Sequence, residues 1–233
     1  MSTTFATAIW RRLGNAGSFK YHRFVKRLFD ILIALLAMPF LGILVVVLGT
    51  MIHLEDKGPI FYNAPRVGKG GREFTMFKFR SMKVNAPDLV MEDGSTYNGA
   101  DDPRLTRIGA FMRRTSLDEF PQFLNVLNGT MSVIGPRPDL KRETELYQGD
   151  EGDKLLVKPG ITGYAVVYGG RNASSWHDRL KLDVWYVRNI SFALDAKVLF
   201  KTFKTVFTQE GVYIENEAGA AAARDAADRG LSE

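Results

Sequence analysis

The chain has 233 residues, 45% of them hydrophobic, with 31 lysines and arginines against 26 acidic residues and a formal net charge of +5. That allows one domain of ordinary size plus appendages, and the basic balance favours anionic partners such as lipid headgroups, nucleotides or nucleic acid. The absence of cysteine excludes a disulfide framework and thiol catalysis, and fits a reducing compartment.

In chain order, residues 1–19 read as a flexible basic arm carrying Arg11 and Arg12. Lys20, Arg23, Lys26 and Arg27 follow without an acidic residue between them, a basic collar for a membrane surface worth up to ~1 kcal/mol per charge. Ile31 to Ile52 is almost wholly apolar, about the 20 residues that a bilayer crossing needs. It is too long for a secretory signal and has no small-residue cleavage site after it. Two geometries compete: a spanning helix kinked at Pro39, or a helix broken there that dips into one leaflet and returns. Lys57, Arg66, Lys69 and Arg72 make the far flank basic as well, so no charge asymmetry drives one end across. This predicts a re-entrant helix over 20–56 with both ends cytoplasmic, and Asp30 at its edge paired with the collar arginines.

A catalytic domain is expected over 57–212. Ile60-Phe61-Tyr62 and Phe74 to Phe79, around Gly68-Lys69-Gly70-Gly71, predict a β-hairpin. The glycines do not form a phosphate loop of the GxxxxGK[ST] kind. Lys78 and Arg80 alternate with Phe79, so two cations share a strand face that either meets phosphates or guards an edge. Asn85 to Asp102 is polar and turn-rich, a surface loop, and Pro103 is suited to open a helix over Arg104 to Arg113.

The segment Arg113 to Gln122 carries the strongest functional signal. Pro121 is tolerated only in a first helical turn, so the helix through Phe123, Leu124 and Leu127 begins near Leu117 or Asp118, with Ser116 or Asp118 as cap. Asp118 then lies at the positive end of the helix dipole, a natural anion site. Asp118, Gln122 and Asn125 share one face and apolar residues the other. Two readings fit: a capping Asp118-Glu119 pair with solvated arginines, or an active-site wall.

In Gly135-Pro136-Arg137-Pro138 the prolines hold Arg137 in a stiff frame, and its planar fork suits a bidentate grip on phosphate. Leu140 to Gly149 reads as a charged, solvated helix, and Lys158-Pro159-Gly160 as a type II turn. The loop Gly169 to Asn172 presents Arg171. Ala193 to Thr208 is a basic amphipathic helix suited to a membrane interface, with Lys197, Lys201 and Lys204 on one face. Residues 213–233 form an Ala-rich, frayed tail. His22, His53 and His177 lack ligand spacing, so zinc is not expected. With no GxSxG and no cysteine, the nucleophile candidates reduce to a carboxylate, an accepted covalent route for phosphoryl transfer. The basic residues flank a lipid-like run and form no aromatic-lined groove, which argues against nucleic acid.

Lys26 to Asp30 before the proline-interrupted run, Lys78 to Met82, Ser116 to Gln122, Gly135 to Pro138, Lys158 to Gly163 and Gly170-Arg171-Asn172 stand in order. Together they resemble the bacterial sugar transferases, the monotopic polyprenyl-phosphate phosphoglycosyl transferases, in their minimal form with a single membrane helix. The resemblance covers roughly 20–211 and implies an α/β (α+β) monotopic membrane protein. Its parts would be a re-entrant helix, a compact catalytic domain with a short sheet, and interfacial helices on the cytoplasmic face of the bacterial inner membrane. The implied reaction moves a phospho-sugar from a UDP-sugar to polyprenyl (undecaprenyl) phosphate with release of UMP, early in surface-glycan synthesis. Downstream glycosyltransferases are the implied partners. By motif, Asp118 would be the nucleophile, and Glu119, with Asp118 beside it, would hold Mg2+. Arg113, Arg137, Pro138, Arg171 and Lys78 would bind substrate. The family often has Ser before the helix-breaking proline, where this chain has Met38. The alternative is a non-catalytic membrane-surface partner in glycan assembly.

Overall fold

The computed structural model describes residues 21–91, 96, 97, 99, 102–169 and 175–208. The N-terminal arm, the Ala-rich tail and Arg171 lie outside them. Helix α1 runs from Lys26 to Asp56, 31 residues, with Pro39 inside it. At 1.5 Å per residue it is about 46 Å long. The break expected at Pro39 is absent; the helix continues although proline contributes no N–H to the turn before it.

One face of α1 is buried along its whole length. Lys26, Asp30, Ala34, Ala37, Leu41, Leu48 and Ile52 recur at helical spacing; Ala34 packs into one apolar cluster of the domain, and Leu41, Leu48 and Ile52 into a second. Leu28, Leu32, Leu36, Phe40, Ile43 and Leu54 are exposed along its outer side. The helix is the one described element long and apolar enough to cross a membrane, yet it lies against the domain from end to end.

Polar ties fix both ends of α1. Near its start, Lys26 Nζ donates to Asp195 Oδ2 at 2.6 Å, and Arg27 donates to the carbonyls of Val126 and Leu127 at 2.6 and 3.1 Å. Asp30 Oδ1 accepts from Ser132 Oγ and from the Val133 N–H, each at 2.9 Å. Lys26 and Arg27 are therefore internal ties and not a free collar, and Asp30 takes a hydroxyl and an amide in place of the expected arginines. At the far end Glu55 Oε1 accepts the Arg107 N–H at 2.7 Å, and Asp56 forms a bidentate pair with Arg80.

The expected hairpin is present as β1 (Ala64–Val67) and β2 (Glu73–Met76), antiparallel, with Ala64 opposite Met76 and Val67 opposite Glu73. Gly70 and Gly71 turn it with φ of 72° and 75°, where side-chain-bearing residues are strained. Helix α2 spans Arg107–Thr115, three residues later than Pro103 suggested, because Thr106 Oγ1 caps it by accepting from Gly109 N. A single 3-10 turn, Leu117–Glu119, separates α2 from α3, Gln122–Asn128. Strand β3 (Ser132–Ile134) pairs in parallel with β4 (Gly160–Thr162). Between them the expected solvated helix shrinks to α4, Lys141–Thr144, with Glu143 buried, followed by a 3-10 segment, Glu151–Leu156. Helix α5 is Trp176–Arg188 and α6 is Phe192–Thr208. The fold is thus mixed helix and sheet, with two small sheets among helices.

The amphipathic character of α6 is divided. Val198 is fully buried, whereas Phe200 and Phe203 are 76% and 57% exposed. Lys201 Nζ sits 3.9 Å from the centre of the Tyr168 ring, a cation–π contact. At the start of α6, Phe192 packs on Phe29 of α1, ring centres 5.6 Å apart.

Candidate active site

The site forms where the chain after β2 crosses the turn before α3. Asn125 Oδ1 accepts the Phe77 N–H at 2.8 Å, and the Phe79 N–H donates to the Asp118 carbonyl at 3.0 Å. Lys78 is held between these anchors, and its Nζ lies 2.7 Å from Asp118 Oδ2 and 3.7 Å from Glu119 Oε1. Arg137 Nη1 approaches the same Glu119 oxygen at 3.9 Å. The structure therefore brings Asp118, Glu119, Lys78 and Arg137 together from three separate segments.

The two carboxylates differ. The Asp118 side chain is 3% exposed and that of Glu119 is 24% exposed. Asp118 Oδ2, although ion-paired with Lys78, has no hydrogen-bond partner among the described residues. The contact is charge against charge without a directed hydrogen bond. Among the described residues Glu119 is met only beyond hydrogen-bond range by both cations, which leaves its oxygens open to another positive group.

The local backbone departs from expectation. Asp118 sits in the 3-10 turn, ahead of α3, and neither Ser116 nor Asp118 caps that helix. Ser116 ends α2 with φ of 55°, a left-handed conformation costing roughly 1–2 kcal/mol for an L-residue, and this reversal delivers Asp118 to Lys78. On the polar face of α3, Asn125 is committed to backbone. Gln122 and Asn125 are buried, and Asn125 Nδ2 donates to the Thr75 carbonyl at 2.8 Å. Asn125 is thus a strut that supplies partners to unpaired strand backbone.

Of the other residues singled out, Arg113 Nε donates to Ser81 Oγ at 3.2 Å, and its Nη1 lies 3.6 Å from Asp102. Arg80, the second cation of the Lys78 pair, is buried on Asp56 and braces the end of α1. Pro138 follows Arg137 in the loop after β3, next to buried Asp139. Beneath that loop stands a group that sequence reading missed: Lys154 Nζ lies 2.7 Å from Asp139 Oδ2 and 3.0 Å from Asp183 Oδ2. Those residues are scattered over 139–183 and carry no motif. The described residues contain no cluster of three or more His, Cys, Asp or Glu able to hold a metal by themselves.

A sequence family described as bacterial sugar transferase matches residues 21–209. The chain is 42% identical over 202 residues to the UDP-galactose-lipid carrier transferase of Erwinia amylovora, covering 82% of this chain and 42% of that protein. It is 38% identical over 218 residues to the undecaprenyl-phosphate galactose phosphotransferase of Salmonella typhimurium, covering 87% and 44%. With the exopolysaccharide production protein ExoY of Sinorhizobium fredii it shares 38% identity over 200 residues, covering 81% and 88%. The chain thus spans less than half of the first two relatives and most of the third.

Proposed function

We infer, because the chain belongs to the bacterial sugar transferase family and pairs a buried carboxylate with cations, that it transfers a phospho-sugar from a UDP-sugar to polyprenyl phosphate. The observation that carries this reading is Asp118, buried yet unsatisfied at Oδ2, with Lys78 at 2.7 Å. A buried carboxylate held by charge alone is available as a nucleophile once a second anion draws its partner away.

The reaction then runs in two displacements. An Asp118 oxygen attacks the β-phosphorus of the UDP-sugar, the bond from that phosphorus to the bridging oxygen breaks, and UMP leaves with the electron pair. The sugar-phosphoryl group is held on Asp118 as an acyl phosphate. A phosphate oxygen of the polyprenyl carrier then attacks the same phosphorus, Asp118 leaves as carboxylate, and a polyprenyl diphosphate-sugar forms. Lys78 exchanges Asp118 for a phosphoryl oxygen during the first step, which neutralises the anion under attack. Arg137, with its side chain 54% exposed and facing Glu119, grips the diphosphate. Pro138 holds the frame of Arg137, and Arg113 and Arg171 act as further nucleotide and phosphate contacts.

The donor set also suits Mg2+. That ion keeps several waters and is commonly held by one or two carboxylates together with substrate phosphates, without an all-protein cage. Glu119 has open oxygens beside Asp118, and two carboxylates against Lys78 and Arg137 leave no local positive excess for an incoming diphosphate. Glu119, with Asp118 beside it, would hold Mg2+, which supplies charge neutralisation and Lewis-acid polarisation of the diphosphate. The test is UMP release from UDP-sugars by the membrane-bound protein with polyprenyl phosphate present. Release is expected, is lost on chelation and returns with added Mg2+. No release with any UDP-sugar overturns the catalytic reading in favour of a non-catalytic partner in glycan assembly. Release that withstands chelation removes the metal.

The lipid acceptor requires a site at headgroup depth. The outer side of α1 joins the exposed Phe192, Phe200 and Phe203 of α6 through the Phe29–Phe192 contact. Both ends of α1 are tied to the same domain, so a helix that carried one end across the bilayer would tear those ties. These ties support a monotopic protein on the cytoplasmic face of the inner membrane, with α1 lying along the bilayer surface and both of its ends on one side. Tags at Met1 and Glu233 are both expected to be protected in right-side-out vesicles. Opposite accessibility overturns the topology.

A further inference from the structure

The loop after β3 contains Pro136, Arg137 and Pro138. Prolines lack an N–H, so the Arg137 amide is the one backbone donor within these three residues. It favours the charged form of the nearby Asp183 carboxylate on α5, although Asp183 Oδ1 has no hydrogen-bond partner among the described residues. The loop is otherwise held by its ends: Gly135 N donates to the Thr162 carbonyl, Gly160 N to the Pro136 carbonyl, and Val67 N to the Asp139 carbonyl, each at 2.9 Å. Asp139 Oδ2 accepts from Tyr147 Oη at 2.6 Å and from Lys154 Nζ at 2.7 Å. Asp183, Lys154 and Asp139 are all buried, at 2%, 3% and 7% exposure. Three charges have thus been drawn out of water directly beneath a residue whose side chain stays in solvent. Buried ion groups of this kind are poor contributors to stability.

We propose that the Asp183–Lys154–Asp139 triad is a positioning device that aims Arg137 at the donor diphosphate, with Lys154 tying Asp139, two residues past Arg137 in the same loop, to Asp183 of α5. This rests on the reading of Arg137 as a phosphate clamp. The triad touches no reacting atom; it acts through Arg137 alone.

Its charge state follows from its surroundings. Burial raises the Asp183 carboxyl to about 6, against the opposing pull of Lys154; Asp139 pushes in the same direction as burial. Tyr147 faces the group through Asp139. Below about pH 6 Asp183 takes a proton, Lys154 keeps only Asp139, and the anchorage of the Arg137 loop to α5 weakens. Because the folded carboxyl titrates above its ordinary value of 3.8, its contribution to stability is fully present below that value and is lost as pH rises through about 6. Activity and this stability contribution therefore move in opposite directions across the same window.

The test is a cycle of Asp183→Asn and Arg137→Ala, read as the KM for UDP-sugar in UMP release at pH 7.5. Asp183→Asn is expected to raise KM about ten-fold with a smaller change in kcat, the scale of lost outer-shell support. It is expected to add nothing in the Arg137→Ala background, and the acid limb of kcat/KM near pH 6 should disappear in the single variant. A multiplicative loss in the double variant, or a wild-type KM in Asp183→Asn while Arg137→Ala is impaired, overturns the positioning role. An unaltered KM in Arg137→Ala overturns the clamp itself. If Asp183→Asn does not fold, Tyr147→Phe removes one hydroxyl from the same support. Its KM rise must likewise vanish without Arg137, and persistence there overturns the proposal.

Discussion

Asp118→Asn is expected to reduce UMP release by at least about 10³-fold, since losing a covalent nucleophile removes the step and leaves only binding and electrostatic assistance. The amide is isosteric, so the turn over Leu117–Glu119 and the Phe79–Asp118 backbone bond are retained. Membrane association, which depends on α1 and α6, should be unchanged. The same loss must appear in the half-reaction without polyprenyl phosphate. There the wild-type protein, given UDP-sugar alone, should carry a sugar-phosphate mass on the peptide containing residue 118. Glu119→Gln is expected to lose activity through metal and phosphate binding, and saturating Mg2+ should restore part of it, whereas no metal concentration rescues Asp118→Asn. An unmodified residue 118 in trapped wild-type protein would falsify the covalent route even if Asp118→Asn were inactive.

What the sequence made legible follows from which interactions are local. The long apolar helix, the hairpin around Gly70 and Gly71 and the basic amphipathic helix at the C-terminal end of the domain rest on periodicity and on turn chemistry, and these appear within a few residues of expectation. The adjacency of Asp118 and Glu119 and the cationic Lys78 were equally visible. Long-range pairing was not. The ties Lys26–Asp195 and Asp30–Ser132 join residues 169 and 102 positions apart, and no single-sequence pattern encodes them. Lys26 was misread as part of a basic collar for that reason, since a lysine destined for a buried carboxylate looks like a solvated one. Asn125 was misread in a related way: polar residues on a helix suggest a functional wall, but the strand backbone at Thr75 and Phe77 needed partners and took them from inside. The Asp183–Lys154 support is invisible in sequence because it is defined by depth, not spacing.

Lys78→Met is expected to harm the fold as well as the chemistry, and the two effects separate. Lys78 and Asp118 are 16% and 3% exposed at their side chains, so removing the ammonium leaves a carboxylate in a poorly solvated place. Breaking one side of such a pair typically costs about 3–5 kcal/mol, which for a domain of this size lowers the thermal midpoint by roughly 10 °C. In the Lys78→Met/Asp118→Asn double variant the stranded charge is gone, and most of that stability should return although turnover stays absent. Glu119→Gln combined with Lys78→Met should give no such recovery, because Glu119 lies 3.7 Å from Lys78 and has its own access to solvent. Midpoints of the wild type, the single variants and the two double variants measured in one detergent decide the matter. If the losses from Lys78→Met and Asp118→Asn simply add, the 2.7 Å contact carries no coupling. Lys78 would then be a bystander to the nucleophile, and the exchange of Asp118 for a phosphoryl oxygen would have nothing to drive it.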